Sequence, residues 1–162
     1  MEQKQSAMLD LSKMTNEIAE EQLEYTKKIK DETTKANTLA KLNAALNYGY
    51  GIILSAFNRE IVSNGYITQI GLFHDNMFNQ FNLASDLMEP FRPLVDKCVL
   101  GMKLEQFEHE EKMWLVDILN QAVQIDGKLQ YVSNAIKIYC KSVFDALNED
   151  DSALVRFYKI EL

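Results

Sequence analysis

Apolar residues recur at helical spacing along most of this chain, and breakers are few, with 6 glycines and 2 prolines in 162 residues. Met8, Leu11, Met14, Ile18 and Leu23 sit among charges over residues 5–30. That pattern predicts an amphipathic helix lying on the domain or on a partner. The polar run Asp31 to Asn37 reads as a loop. Residues 39–62 predict a long helix, with Leu42, Leu46, Ile53, Ala56 and Phe57 on one face and Asn64-Gly65 as its C-cap. Residues 66–82 show no period. A helix follows over about 83–99, interrupted by Pro90 and Pro93. Residues 106–122 predict another, with Met113, Leu115, Ile118 and Leu119 inward. Asp126-Gly127 is a favoured two-residue hairpin turn, so a short β-hairpin is expected near residues 123–131. Ser133 is positioned to cap a helix in which Ile136, Tyr139, Cys140, Val143, Phe144 and Leu147 recur. Asn148 to Asp151 is an acidic turn before a short last helix. The fold class expected is all-α, a multi-helix domain with one minor hairpin.

A chain of this length can bury one sizeable core. Its 47% hydrophobic and 25% charged content is ordinary for a globular protein. The net charge of −7 argues against an autonomous nucleic-acid binder, since phosphate binding leaves a basic footprint. No apolar run reaches the length of a membrane span, and the polar start, Met1 to Ser6, is unlike a signal peptide. Cys98 and Cys140 are isolated in helical text and fit reduced, buried thiols. A cytoplasmic protein without a membrane partner is therefore expected. Gly-rich phosphate loops, nucleophile elbows and zinc spacings do not occur.

Residues 71–96 carry the candidate chemistry. His74 precedes Asp86 and Glu89, two carboxylates three apart that share a helix face. A histidine and carboxylates converging on one point suit a divalent metal acting on phosphate esters. Asn64, Asn76, Asn79 and Asn82 offer amides to backbone or phosphate. Phe73, Phe78, Phe81, Leu87 and Phe91 lie between the polar groups, and a polar cluster in apolar surroundings needs partners. The plainer alternative makes Asp86 and Glu89 solvated carboxylates near a helix N-terminus. Glu89 is expected either at a kink before Pro90, or just ahead of a helix that Pro90 opens. Arg92 can clamp a phosphate or pair with Glu89 or Asp86. Gly49, between Tyr48 and Tyr50, implies close packing of a backbone or of DNA. Trp114 is expected as a core anchor, and His109, among Glu108, Glu110 and Glu111, as part of a solvated face.

Several motifs occur in an order that carries a resemblance. They are Leu42-Asn43-Ala44-Ala45-Leu46-Asn47-Tyr48-Gly49-Tyr50, Gly71-Leu72-Phe73-His74 and Asp86-Leu87-Met88-Glu89-Pro90-Phe91-Arg92-Pro93. Phe107-Glu108-His109-Glu110-Glu111-Lys112, Ile125-Asp126-Gly127-Lys128, Tyr131-Val132-Ser133-Asn134-Ala135-Ile136 and Arg156-Phe157-Tyr158 follow. The chain resembles the CRISPR-associated endonuclease that serves as the integrase of spacer acquisition, in its type II-A branch. The resemblance implies a metal-dependent DNA endonuclease and integrase using Mg2+ or Mn2+. His74 and Glu89 would be catalytic metal ligands, with Asp86 and Arg92 supporting them. Its partners would be DNA, as protospacer and CRISPR repeat, and the family's other adaptation subunits. Residues 39–162 would be the helical catalytic domain, preceded at 1–38 by a divergent helix and loop. The family's N-terminal β-rich domain, which builds its dimer, has no counterpart here, so dimerisation by that route is not expected. Ala36 falls where the family carries its first metal-binding glutamate, with Asp31 or Glu32 as potential substitutes. Impaired activity is therefore expected, and the alternative is a catalytically inactive helical fragment serving as a binding or structural module.

Overall fold

The computed structural model describes the backbone of residues 2–102 and 105–159, and side chains from residue 20 onward except Glu21. Two compact units divide the chain, Met1–Ala40 and Lys41–Leu162. Helix α1 is Glu2–Ser63. The expected loop at 31–37 is helix instead. No Gly or Pro breaks it, and its threonines bond their own helix. Thr33 donates to the Ile29 carbonyl and Thr34 to the Lys30 carbonyl, both at 2.8 Å. Lys35 pairs with Asp31 one turn back at 2.9 Å. Polarity that reads as loop is here the solvated surface of a helix. Of the predicted 5–30 stripe, only Leu23 has a described side chain, and it is exposed.

In the second unit, α1 buries Ala45, Ile53, Ala56, Phe57 and Ile61, a stripe of helical period. Gly49 lies in that stripe because a Cβ there would sit 2.5 Å from Val95 Cγ1. Close packing is thus its structural cause. The helix ends as its Asn-Gly pair predicts. Gly65 adopts φ +82°, Gly65 N–H donates to Val62, and Tyr66 N–H donates to Ile61, which satisfies the last carbonyls.

An irregular loop leads to α2, Asn82–Met88, a 3₁₀ turn at Glu89–Phe91, and α3, Arg92–Leu100. Pro90 and Pro93 each stand in the first two positions of a new segment, where a missing N–H costs nothing. The one long predicted helix is thereby divided, and Glu89 opens the 3₁₀ turn. Helix α4 spans His109–Val116 and a second 3₁₀ turn Asp117–Asn120, shorter than the predicted 106–122. Leu115 and Ile118 point inward, but Met113 and Trp114 are exposed. Trp114 is therefore a surface residue and not a core anchor. His109 is exposed, as expected.

The predicted hairpin is β1, Ala122–Ile125, and β2, Lys128–Tyr131. Its turn residues Asp126 and Gly127 both have positive φ. A third strand, β3 at Tyr158–Lys159, pairs antiparallel with β1, giving the order β2-β1-β3. Sequence periodicity does not reveal a strand this short, and a final helix was expected there. A 3₁₀ turn at Ser152–Leu154 replaces it. Strand β2 runs directly into α5, Val132–Glu149, so Tyr131 takes the N-cap position and Ser133 makes no capping bond.

Phe91 centres the core. Its ring lies 5.2 Å from that of Phe57, 5.5 Å from Tyr139 and 4.4 Å from Tyr158. The Tyr158 hydroxyl donates to the Pro90 carbonyl at 2.9 Å, which ties β3 to the turn beside Glu89. Burial pushes Tyr139 and Tyr158 up to about 12, so both hydroxyls stay protonated. Cys98 and Cys140 are buried and free, and burial pushes the Cys140 thiol up to about 12. Among the described residues, no helix is long and apolar enough to cross a membrane.

Candidate functional site

A cavity of about 340 Å³ opens beside the second unit's core. One wall is Asn47, Tyr50, Gly51 and Leu54, spaced i, i+3, i+4 and i+7 on α1. The other is Ser85, Met88, Glu89 and Arg92, with the same spacing across α2, the 3₁₀ turn and the start of α3. Residues so spaced share a helical face. His74 completes the lining from the loop. The motifs around Asn47-Tyr48-Gly49-Tyr50 and Asp86 to Arg92 are thus two faces turned toward one space.

Asp86 lies behind this surface, with its side chain 4% exposed. It gathers the loop that carries His74. Oδ2 accepts the N–H groups of Leu72 at 2.6 Å and Phe73 at 2.9 Å. Oδ1 accepts the His74 N–H at 3.2 Å and lies 2.5 Å from His74 Nδ1. Burial alone would raise the Asp86 carboxyl. The Phe73 N–H, the His74 ring and the Leu72 and His74 N–H groups outweigh it and hold the carboxyl below its usual value. Gly71 permits this wrap. A Cβ there would sit 2.3 Å from the His74 carbonyl oxygen and 2.8 Å from Asp86 Oδ2.

The neighbouring amides serve backbone. Asn76 and Asn79 accept from the N–H groups of Phe78 and Phe81, two residues on, closing side-chain turns. Asn64 donates to the Glu60 carbonyl. Asn82 donates to the carbonyls of Gln69 and Asn76, each at 2.9 Å. The expected apolar enclosure is partial. Leu87 and Phe91 are buried, but Phe73 and Phe78 are 92% and 87% exposed. The loop is held by hydrogen bonds and not by burial of its aromatic rings.

Arg92 pairs with Glu89 at 2.8 Å, the geometry of neighbours three apart on a helical surface. Its guanidinium carbon lies 4.5 Å over the Tyr50 ring, a cation–π contact. The Tyr50 hydroxyl donates to Asp96. Burial and then Asp96 raise the Tyr50 hydroxyl, against the opposing effect of Arg92. Burial lowers Arg92, but Glu89 and Tyr50 raise it further. Asp96, Tyr50, Arg92 and Glu89 form a chain that fixes how Glu89 meets the cavity. In the sequence Tyr50 stands out only as a neighbour of Gly49, and no motif singles out Asp96. The face-forming spacing of 47, 50, 51 and 54 was the available signal.

The donor set bears on a metal ion. Asp86 occupies His74 Nδ1, leaving Nε2 as the open ring donor. This is the carboxylate–histidine arrangement common at metal ligands. Glu89 keeps Oε2 beside its Arg92-paired Oε1. One imidazole and one carboxylate fit an ion that takes its remaining ligands from water or phosphate. No group of three or more His, Cys, Asp or Glu able to hold a metal occurs among the described residues. Asp31, Glu32 and Ala36 belong to the other unit, and all three are exposed on α1.

Comparison with known proteins bears on the same segment. A family model described as CRISPR associated protein Cas1 matches residues 8–117. The CRISPR-associated endonuclease Cas1 of Neisseria meningitidis serogroup C is 44% identical over 61 residues, covering 38% of this chain and 20% of that protein. The CRISPR-associated endonuclease Cas1 1 of Francisella tularensis subsp. novicida is 29% identical over 99 residues, covering 59% of this chain and 31% of that one. A solved structure, a casposase bound to integration product, superposes with a TM-score of 0.59 at 25% identity, over 68% of this chain and 36% of that one. The chain spans a fifth to a third of the length of these curated relatives.

Proposed function

Since the chain belongs to the CRISPR associated protein Cas1 family, we propose that its cavity is a phosphoryl-transfer site for CRISPR adaptation. It would join captured DNA into a CRISPR repeat together with the family's other adaptation subunits. The observation that carries this reading is the oriented His74 beside Glu89 and Arg92 in one cavity. In this proposal His74 Nε2 and Glu89 Oε2 would hold a Mg2+ or Mn2+ ion, which when bound would supply Lewis-acid stabilisation of phosphoryl charge. Asp86 sets the ring's orientation. Tyr50 and Arg92 set the carboxylate's, and Arg92 offers its remaining N–H groups to a phosphate.

Positioned charge, more than any protein nucleophile, accelerates phosphoryl transfer. A two-donor site positions that charge loosely, and a 1 Å error costs roughly a hundredfold in rate. The net charge of −7 also gives the chain little long-range attraction for DNA. We therefore propose slow integration by this chain alone. The test is joining of a labelled DNA fragment to a CRISPR-repeat plasmid with Mn2+ present. Slow joining that Glu89→Gln abolishes supports the reading, and joining that survives Glu89→Gln overturns it. The lack of a three-ligand group among the described residues favours a second reading, a scaffold that retains the fold without the chemistry. Zero joining by the native chain, even with added adaptation subunits, would select it.

A further inference from the structure

Helix α4 is apolar on two sides, and the core uses only one. Its inward residue Leu115 is fully buried, as is Ile118 in the 3₁₀ turn that follows. Glu110, Met113 and Trp114, spaced i, i+3 and i+4, share another face. All three are exposed, Met113 at 55% and Trp114 at 47%. A helix with apolar residues beyond its core-facing stripe has a further face to cover. Against that face lies a cavity of about 290 Å³, lined by Gly101 and Met102 after α3 and by Glu110, Glu111 and Trp114. These residues all belong to the second unit, and none of them lines the candidate site. The volume is at the small end for ligand pockets and suits one inserted side chain.

The charges decide what covers it. Residues 105–117 hold five acids, Glu105, Glu108, Glu110, Glu111 and Asp117, against one lysine. That lysine, Lys112, lies 5.6 Å over the Phe107 ring. The Glu108 N–H donates to Glu111 at 3.0 Å, and backbone N–H groups hold the Glu111 carboxyl below its ordinary value. The rim is therefore anionic, which disfavours DNA and acidic membrane surfaces and favours a cationic partner. Arginine meets both features of the face. Its planar guanidinium stacks on an aromatic ring and bonds carboxylates as a fork. Met102 and Met113 offer adaptable apolar contact to aliphatic neighbours of that arginine. We infer that this face docks an arginine-bearing basic segment of another protein. One arginine enters the cavity against Trp114, within reach of the Glu110 and Glu111 carboxylates.

Trp114 is the chain's single tryptophan, so its emission reports the face directly. The test titrates the full chain with a capped peptide in which arginine alternates with leucine. A second peptide carries citrulline for arginine, which keeps the shape and removes the charge. The expected result is a saturable emission change with the arginine peptide and at least about tenfold weaker binding of the citrulline peptide, as when an interfacial charge loses its partner. Glu110→Lys should weaken binding by at least about tenfold. Asp145→Lys makes the same charge change at an exposed site on α5 and should leave affinity within about twofold. Trp114→Ala, followed by calorimetry, should lose binding as Glu110→Lys does. All three positions are exposed, so the variants keep the native melting transition. Equal affinity for the two peptides, or an equal loss in Asp145→Lys and Glu110→Lys, would overturn the inference in favour of general attraction to an acidic chain. An emission change with DNA, or with chain concentration alone, would overturn it by giving the face to nucleic acid or to a second copy.

Discussion

Replacing Asp86 by asparagine is expected to free the loop that carries His74. The carboxylate receives Leu72 N–H at 2.6 Å and Phe73 N–H at 2.9 Å on one oxygen, and His74 N–H and Nδ1 on the other. Asparagine keeps one neutral acceptor and turns an NH2 group toward donors. Hydrogen bonds to a charged group contribute about 1.5–3 kcal/mol each. Taking the lower value for the two shortest N–H bonds gives about 3 kcal/mol. At 1.4 kcal/mol per factor of ten, the loop's opening constant rises roughly a hundredfold. Amide hydrogen exchange at residues 72–74 reads this directly, with urea unfolding as a control for global stability. Acid gives an independent check. The Asp86 carboxyl is held below its ordinary value, so its stabilising effect is complete above the unfolded value, near 3.9. It is lost as pH falls through the lower folded value. Native protection should therefore survive to below about pH 3.9 and then fall, whereas Asp86→Asn should be roughly a hundredfold less protected above that pH and show no such acid-dependent loss. Equal protection in native and variant chains would refute the clamp.

Three further outcomes follow from the packing. Gly49→Ala should destabilise the second unit by about 1–3 kcal/mol in urea, because the new Cβ overlaps Val95, which is fully buried. Phe91→Ala should cost about 3–5 kcal/mol, seen as a large fall in melting temperature, since three rings rest on it. Glu89→Gln should change stability by less than about 1 kcal/mol, because its pair with Arg92 is near half exposed on both sides. A large loss in thermal melting would mean that Glu89 has a structural role.

Local rules made much of the fold legible. Asp126-Gly127 specifies its hairpin through two positive φ angles, and Gly65 ends α1 for the same reason. The stripe of Ile136, Tyr139, Cys140, Val143 and Phe144 is the buried face of α5. What was not legible depends on partners distant in sequence or on solvent. Residues 31–37 look like a loop because exposed helix and loop share polar composition. Trp114 looks like core because its size suggests burial, yet neighbours determine burial. Strand β3 has two residues and exists through its pairing with β1. At the site, motif order singled out His74, Asp86, Glu89 and Arg92. The sequence did not reveal that Asp86 binds three backbone N–H groups 12–14 residues away, nor that Asp96 holds Tyr50 beneath Arg92. Those links are tertiary.

The measurement closest to the central proposal is calorimetric titration of Mn2+ into the native chain, His74→Ala and Glu89→Gln. The account predicts one weak site in the native chain. Each variant should lose at least about tenfold in affinity, as disturbance of a metal's immediate surroundings does, while its melting transition is retained. Native-like Mn2+ binding in both variants would contradict the assignment of His74 and Glu89 as the donors.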